Sequence, residues 1–262
     1  ALPISTGTLT FNGAHQTSKT FEVTSGGKIQ CNHKEFRTGD LDIKGTMAFK
    51  GAVATVDRDA TIQGTVTHDR TSSKTETVDF KISGALWVKG GARIHANEMS
   101  SYYTGSYYST GHGGSACTSC SGNGKDVHGD FRNPDDLGHK AVTTGYYAGG
   151  RIVVEAGSLQ LDGSIEAIGN YAASGGTVNV KIAGGEVSGA GRVDVSVQNG
   201  GGSYGGGGGR AAITGYSKID PRVIAAVAMH GNTGSRAAPG TFFYKAADEN
   251  GHLAIRSPTF KA

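Results

Sequence analysis

Apolar and polar residues alternate along much of this chain in short runs broken by glycine. The clearest stretch reads GGRIVVEAGSLQLDGSIEAIGN from Gly149, GGTVNVKIAGGEVSGAGRVDVSVQN from Gly175 and GGRAAITGYSKIDPRVIAAVAMHGN from Gly208. A degenerate fourth unit, PGTFFYKAADENGHLAIRSP, begins at Pro239, so units start about 26 to 33 residues apart. Repeats of that length are the mark of a solenoid. Within a unit the period is two: Ile152 with Val154, Leu159 with Leu161, and Ile165 with Ala167 fall on one side, as in half-buried strands.

Strands this short, joined by Gly-Ser, Asp-Gly or Ala-Gly corners, cannot bury a face in a hairpin sheet of their own. Stacked coils can, because each strand pairs in parallel with its equivalent ~4.8 Å along the axis and like side chains form ladders. The pattern therefore predicts an all-β fold, a right-handed parallel β-helix. Ile152, Val178, Ala211 and Phe242 should form one internal ladder, and Val154, Val180, Ile213 and Tyr244 a second. Asn170, Asn199 and Asn232 close the third strands of successive units and predict an asparagine ladder at one corner.

The N-terminal third has the same grain in poorer register: FEVTSGGKIQ, LDIKGTMAFKG, ATVDRDATIQGTVTH and VDFKISGALWVKGGARIHANE. About 50 residues after Asn97 then carry no strand pattern, and a stretch that long inside a compact body is usually functional or disordered. The expected organisation is one β-helix domain over 1–262. Coils occupy 1–97 and 149–262, and a long irregular lateral insertion, 98–148, lies outside the stack.

The succession of GGRIVV, a G-S-L-x-L strand, G-S-I-x-A-x-G, the run GGGSYGGGGGRAAI and a closing PGTFFYK resembles the Gly-rich repeat of large extracellular adhesin-like parallel β-helix proteins of microbes and algae. The resemblance covers residues 149 to 244. It implies attachment or scaffolding, and the Tyr- and Cys-rich insertion departs from it.

Composition agrees with strands: 44 Gly and 5 Pro accompany runs rich in Val, Ile, Thr and Phe, which disfavours an all-helical chain. The net charge of +3 is scattered, which argues against nucleic acid as a partner. No apolar run reaches the ~18–20 residues of a membrane-spanning helix, so no membrane insertion is expected. The opening Ala1 without an initiator Met fits a secreted protein after signal removal, and the expected location is extracellular or the cell surface. No N-glycosylation sequon is present.

Cys31, Cys117 and Cys120 are disulfide candidates, and an odd count leaves one thiol over. Cys117 and Cys120 form C-x-x-C near His112, His128 and His139, which invites a zinc reading. The spacing fits no finger pattern and an oxidising compartment favours disulfides, so no metal and no cofactor are expected. No helix follows the motif to support thioredoxin-like chemistry. The run Gly205 to Gly209 precedes a strand rather than a helix N-terminus, so it reads as a wide corner and not as a phosphate loop.

Asp130, Asp135 and Asp136 invite a glycosidase or lyase reading, but they flank Asn133-Pro134 in turn-like sequence. Asp57 and Asp59 flank Arg58 as in a solvated salt bridge. Thr65, Thr67, Thr71, Thr75 and Thr77 would make a flat ice-binding array only without the intervening His68, Asp69, Arg70 and Lys74. Tyr102, Tyr103, Tyr107, Tyr108, Tyr146 and Tyr147 gather at both ends of the insertion, where they would stack on sugar rings or on a partner, or pack the loop onto the body.

The expectation is a non-enzymatic structural subunit of an extracellular filament, matrix or adhesive layer. It would associate with itself through uncapped β-helix ends, with surface glycans as a further partner. The alternative is a carbohydrate-binding or polysaccharide-cleaving β-helix that uses the Tyr/Asp-rich insertion.

Overall fold

A computed structural model describes residues 7–102, 110–116, 127–141, 145–198, 204–232 and 237–256. The chain is all-β with mostly parallel sheets, an arrangement consistent with a β-solenoid. Among the described residues one sheet has eight strands, each paired in parallel with the strand one repeat along the chain, from Gly7–Phe11 through Gly27–Cys31 to Val227–Ala228. A larger sheet spans two faces because Val78–Val88 and Arg151–Leu161, 11 residues each, run from one face into the next without a break.

The alternation of the sequence becomes inward ladders on three faces. Ile152, Val178, Ala211 and Phe242 are successive register partners, and all are fully buried. Val154, Val180, Ile213 and Tyr244 form the neighbouring column, and it continues toward the N-terminus through Phe80, Ala54, Phe36 and His15. A second face stacks Phe21, Leu41, Ala60, Leu86, Leu159, Val187 and Ile219. The third stacks Leu9, Ile29, Met47, Val66, Ile94, Ile165, Val193 and Val227. Each large apolar side chain taken out of water there contributes roughly 1.5–3 kcal/mol against the entropy of ordering its strand.

Glycine, not asparagine, marks the tight corners. Where the second face turns into the third, a Cβ on Gly45 would lie 2.2 Å from the Gly27 carbonyl oxygen, one on Gly64 2.1 Å from that of Gly45, and one on Gly191 2.2 Å from that of Gly163. A second column precedes the C-terminal first-face strands: Gly209 against Gly176 at 2.1 Å and Gly240 against Gly209 at 1.9 Å. Backbones approach there too closely for any side chain. Asn170 instead stands opposite Gln198 and donates to Glu98, while Asn232 donates to the Tyr171 carbonyl; Asn199 lies outside the described residues.

Several expectations need correction. The C-terminal end is not bare: His252–Ala254 pairs antiparallel with Thr241–Ala246. Cys31 is a free thiol buried in a ladder between Phe11 and Phe49, because its side chain points inward with theirs; burial pushes that thiol up to about 12. Cys117 and Cys120 lie outside the described residues. One helical turn, Pro221–Ala225, sits where only strands were expected, capped by Asp220 accepting from the Arg222 amide and begun by proline.

The described parts of the insertion form no strand, although Ser100 bridges to Thr71 and to Ala148. They lie against the flank of the sheets. This covers outward residues that simple alternation would leave wet: Thr177, Asn179, Ala212 and Phe243 are all buried, with Phe131 against Phe243 at 5.7 Å.

Candidate functional site

The two 11-residue strands present a continuous outer face. Val78, Phe80, Ile82, Leu86 and Val88 point inward and are buried, which leaves Asp79, Lys81, Ser83 and Trp87 outward. The register sets Asp79 beside Val153, Lys81 beside Glu155 and Trp87 beside Gln160. At the bend the ladder shifts between Ile82 and Ala85, and Asp59 Oδ1 accepts from the Ala85 amide at 2.8 Å. Gly84 is required here, since its Cβ would meet Asp59 Oδ1 at 2.2 Å. The strands therefore turn the corner without ending, and the eight residue steps from Asp79 to Trp87 trace ~26 Å of contour.

Three hollows follow that path. The first, about 380 Å³, lies between Asp79, Lys81, Arg151, Glu155 and Lys181 of the sheet and a wall formed by Asn133 and Asp135. The second, about 370 Å³, shares Lys81, Glu155 and Lys181 and lies over Gly157. The third, about 300 Å³, is bordered by Trp87, Gln160 and Glu186.

Arg151 organises the walled end. Its guanidinium donates to Asp79 at 2.9 Å, to Thr77 Oγ1 at 2.7 Å and to Asp135 at 2.6 Å, with only 12% of its side chain exposed. Burial raises the Asp79 carboxyl above its ordinary range, and Arg151 opposes that shift. The Asn179 side-chain amide holds the wall by donating to Asn133 Oδ1 and to the Pro134 carbonyl, each at 3.0 Å. Thr177 donates to the Asp136 carbonyl, and Lys74 pairs with the Asp136 carboxylate.

Midway, Lys181 lies 3.7 Å from Glu155, and Lys81 is exposed. At the far end Trp87 is 38% exposed; its indole N–H donates to Asp162 at 2.9 Å, and Lys89 sits over its ring at 4.5 Å. Together with a bond from Gln160, the indole N–H holds the Asp162 carboxyl below its ordinary range.

The other predicted site residues lie elsewhere. Tyr147 is flanked by the Arg70 guanidinium at 3.5 Å and the Lys140 ammonium at 5.1 Å. Tyr146 stacks on Tyr171 at 4.8 Å, and Tyr102 lies 5.2 Å from the His139 ring. These three tyrosines are half-buried with their rings against other residues of the chain, while Tyr103, Tyr107 and Tyr108 lie outside the described residues. Asp130 caps a turn by accepting from the Arg132 amide. Thr71 and Thr77 are buried, so the threonines form no flat array.

His112, His128 and His139 do come together, but as stacked rings. Among the described residues no group of three or more His, Cys, Asp or Glu side chains is placed to hold a metal ion. No helix of the described residues is long and apolar enough to cross a membrane.

Trp87, Lys81, Arg151, Glu155 and Lys181 escaped the sequence reading. The signal was present, because the alternation that marks the inward ladder also names the outward one. Comparison with protein-family models, with curated proteins and with solved structures finds no match to this chain.

Proposed function

We propose that this chain is a right-handed parallel β-helix from an extracellular, adhesin-like protein, and that its outer groove holds a polysaccharide strand without cleaving it. The observation that carries this reading is the row of three open hollows, polar at the walled end by Arg151 and more apolar beyond it, that ends at a half-exposed tryptophan. Small-molecule sites are enclosed and mostly apolar. An extended chain of sugar rings instead offers hydroxyls to groups such as Lys81, Lys181 and Gln160, and a flat carbon face to Trp87. Hydrolysis needs a protonated acid opposite a second carboxylate. Here Asp79 and Asp135 share one guanidinium, and Glu155 lies beside Lys181.

Affinity electrophoresis in gels containing neutral, uronate or sulfated polysaccharides tests the reading. At least one should retard the protein, with Trp87→Ala weakening retention about tenfold and no reducing ends released. Migration unaffected by every polysaccharide overturns binding, and release of reducing ends overturns the non-enzymatic part.

Self-association is a second reading, favoured by strand edges at both ends. Gly7–Phe11 is paired on a single side among the described residues, and Leu9 is 40% exposed there. At the other end His252–Ala254 pairs with Thr241–Ala246, but Val227–Ala228 is likewise paired on a single side among the described residues, so each end offers a strand edge to a second chain. Light scattering that gives a monomer mass at high concentration removes it.

A further inference from the structure

The groove wall belongs to a segment, 127–141, whose two histidines stack with a third, His112 and His139 buried and His128 partly buried. The His112 and His128 ring centroids are 4.6 Å apart, and those of His128 and His139 are 3.7 Å apart at 9°. His112 is fully buried; its Nδ1 lies 3.0 Å from the Gly175 carbonyl oxygen, and its Nε2 is buried without a hydrogen-bond partner. The segment is tied to this stack by its backbone: the His128 amide donates to the His112 carbonyl, and the His139 amide donates to Ser174 Oγ. Gly113 and Gly114 donate to the Gly208 carbonyl, which docks the partner strip 110–116 onto the glycine corner.

The surroundings oppose a proton. The facing charge is Arg210, buried, with Nε donating to the His128 carbonyl. Asp130 and Asp136 act on Arg210, and Tyr102 borders His139. The Gly175 carbonyl lies at His112 Nδ1, and the His112 carbonyl accepts from the His128 amide.

We propose that this histidine stack is an acid-sensitive latch: when protons enter it, the 127–141 segment leaves the flank of the sheets and the polar groove loses its wall. The physical reason is that a closed stack cannot hydrate an imidazolium, whereas an open one can. Burial and the neighbouring cations accordingly hold His112 well below its ordinary value. Opening takes up protons, so its equilibrium constant rises up to about tenfold per pH unit for each imidazole that charges on release. The consequence for glycan retention rests on the binding reading above, but the latch does not.

Hydrogen exchange on the full chain, corrected for intrinsic rates, separates the two. On passing from pH 7.5 to pH 5, amide protection in 127–141, at His128, Gly138 and Lys140 in particular, should fall at least tenfold while Ile152–Val154 stays protected. In His112→Phe, which keeps a ring but cannot titrate, the opening should move at least one pH unit lower.

Loss of protection only together with the core strands, or an unchanged profile in His112→Phe, overturns the latch. Should that variant not fold, imidazole NMR of the unaltered chain decides. The stacked histidines should charge together with the opening, and a His112 that titrates near 6.5 while the segment stays protected overturns it. Trp87→Ala should leave all of this unchanged, so failure of glycan binding and failure of the latch are distinguishable.

Discussion

The two halves of the stack solve the same corner problem differently. Before the insertion, register partners follow at short intervals, Phe21 to Leu41 to Ala60, and side chains carry neighbouring units across the turns. Lys44 bonds Glu22, Arg58 bonds Asp40, and Arg37 bonds Asp57, each joining one unit to the next. After the insertion the intervals lengthen, Ile152 to Val178 to Ala211 to Phe242, and backbone meets backbone along a second glycine column, Gly176, Gly209 and Gly240. The insertion docks on that column: a Cβ on Gly113 would sit 2.0 Å from the Gly209 carbonyl oxygen. Charged rims tolerate water and drift, whereas glycine columns demand dry contact. Both halves share the glycine column between the second and third faces, and the half that carries extra chain on its flank adds a second.

The largest effect should therefore come from a methyl group on the C-terminal column. In Gly209→Ala the new Cβ would lie 2.1 Å from the Gly176 carbonyl, so backbone would have to move, and the cost should exceed the ~1–3 kcal/mol of ordinary overpacking. Gly13→Ala, with nothing within 4 Å of its Cβ, should be nearly silent. Denaturant unfolding of both variants checks the contrast. Equal losses would mean that the glycine column is incidental to stability.

What the sequence made legible follows from where physics is local. Period-two alternation located the inward ladders correctly as far as Phe242 and Tyr244, because burying an apolar face leaves one register. Position along a unit also marked Asn170 and Asn232, but it could not say which residue faces which across a corner. Gln198 holds the place opposite Asn170. The run through Gly209 was legible as a corner of close contact; which backbones meet was not, for Gly209 approaches Gly176 of the neighbouring unit and Gly207 approaches Gly114 of the insertion, with no positive φ at either. The groove was legible only in part: Asp135 stood out as a turn acid, but its partner Arg151 lies in a different segment, and long-range pairing leaves no periodic trace.

Acid should strike next hardest, and in the half before the insertion. His68 is buried, and burial, with the Asp69 carbonyl opposing, lowers it to about 4; His95 is lowered mainly by burial as well. A histidine held neutral in the folded chain but free to charge in the unfolded one adds stability that is complete above about pH 6.5. That contribution is lost as pH falls from 6.5 toward 4, roughly 3 kcal/mol from His68 alone. Thermal midpoints measured from pH 7.5 to pH 3 should drop between pH 6.5 and pH 4, and His68→Leu should flatten the slope there. A slope confined to pH below 4 would assign the loss to carboxylates instead.

The smallest effect should belong to the charged rim of the first half, and Arg58→Gln tests it. The Arg58 guanidinium beside Asp40 holds that carboxyl below its ordinary range, with a contact of 2.5 Å, yet the Arg58 side chain is 55% exposed. A lowered carboxyl adds stability above its unfolded pKa and loses it as pH falls through the folded value, so any contribution here is complete at neutral pH. Exposure and salt screen it, and ordering two side chains offsets it. The Asp40 titration, followed by NMR, should therefore move up toward the usual carboxylate range in the variant. The thermal midpoint should shift only slightly at low salt and not at all in 1 M salt. If it fell as far as in Gly209→Ala, the ion pairs would be what holds the first half together, and the two halves would differ in chemistry but not in how strongly their corners are fixed.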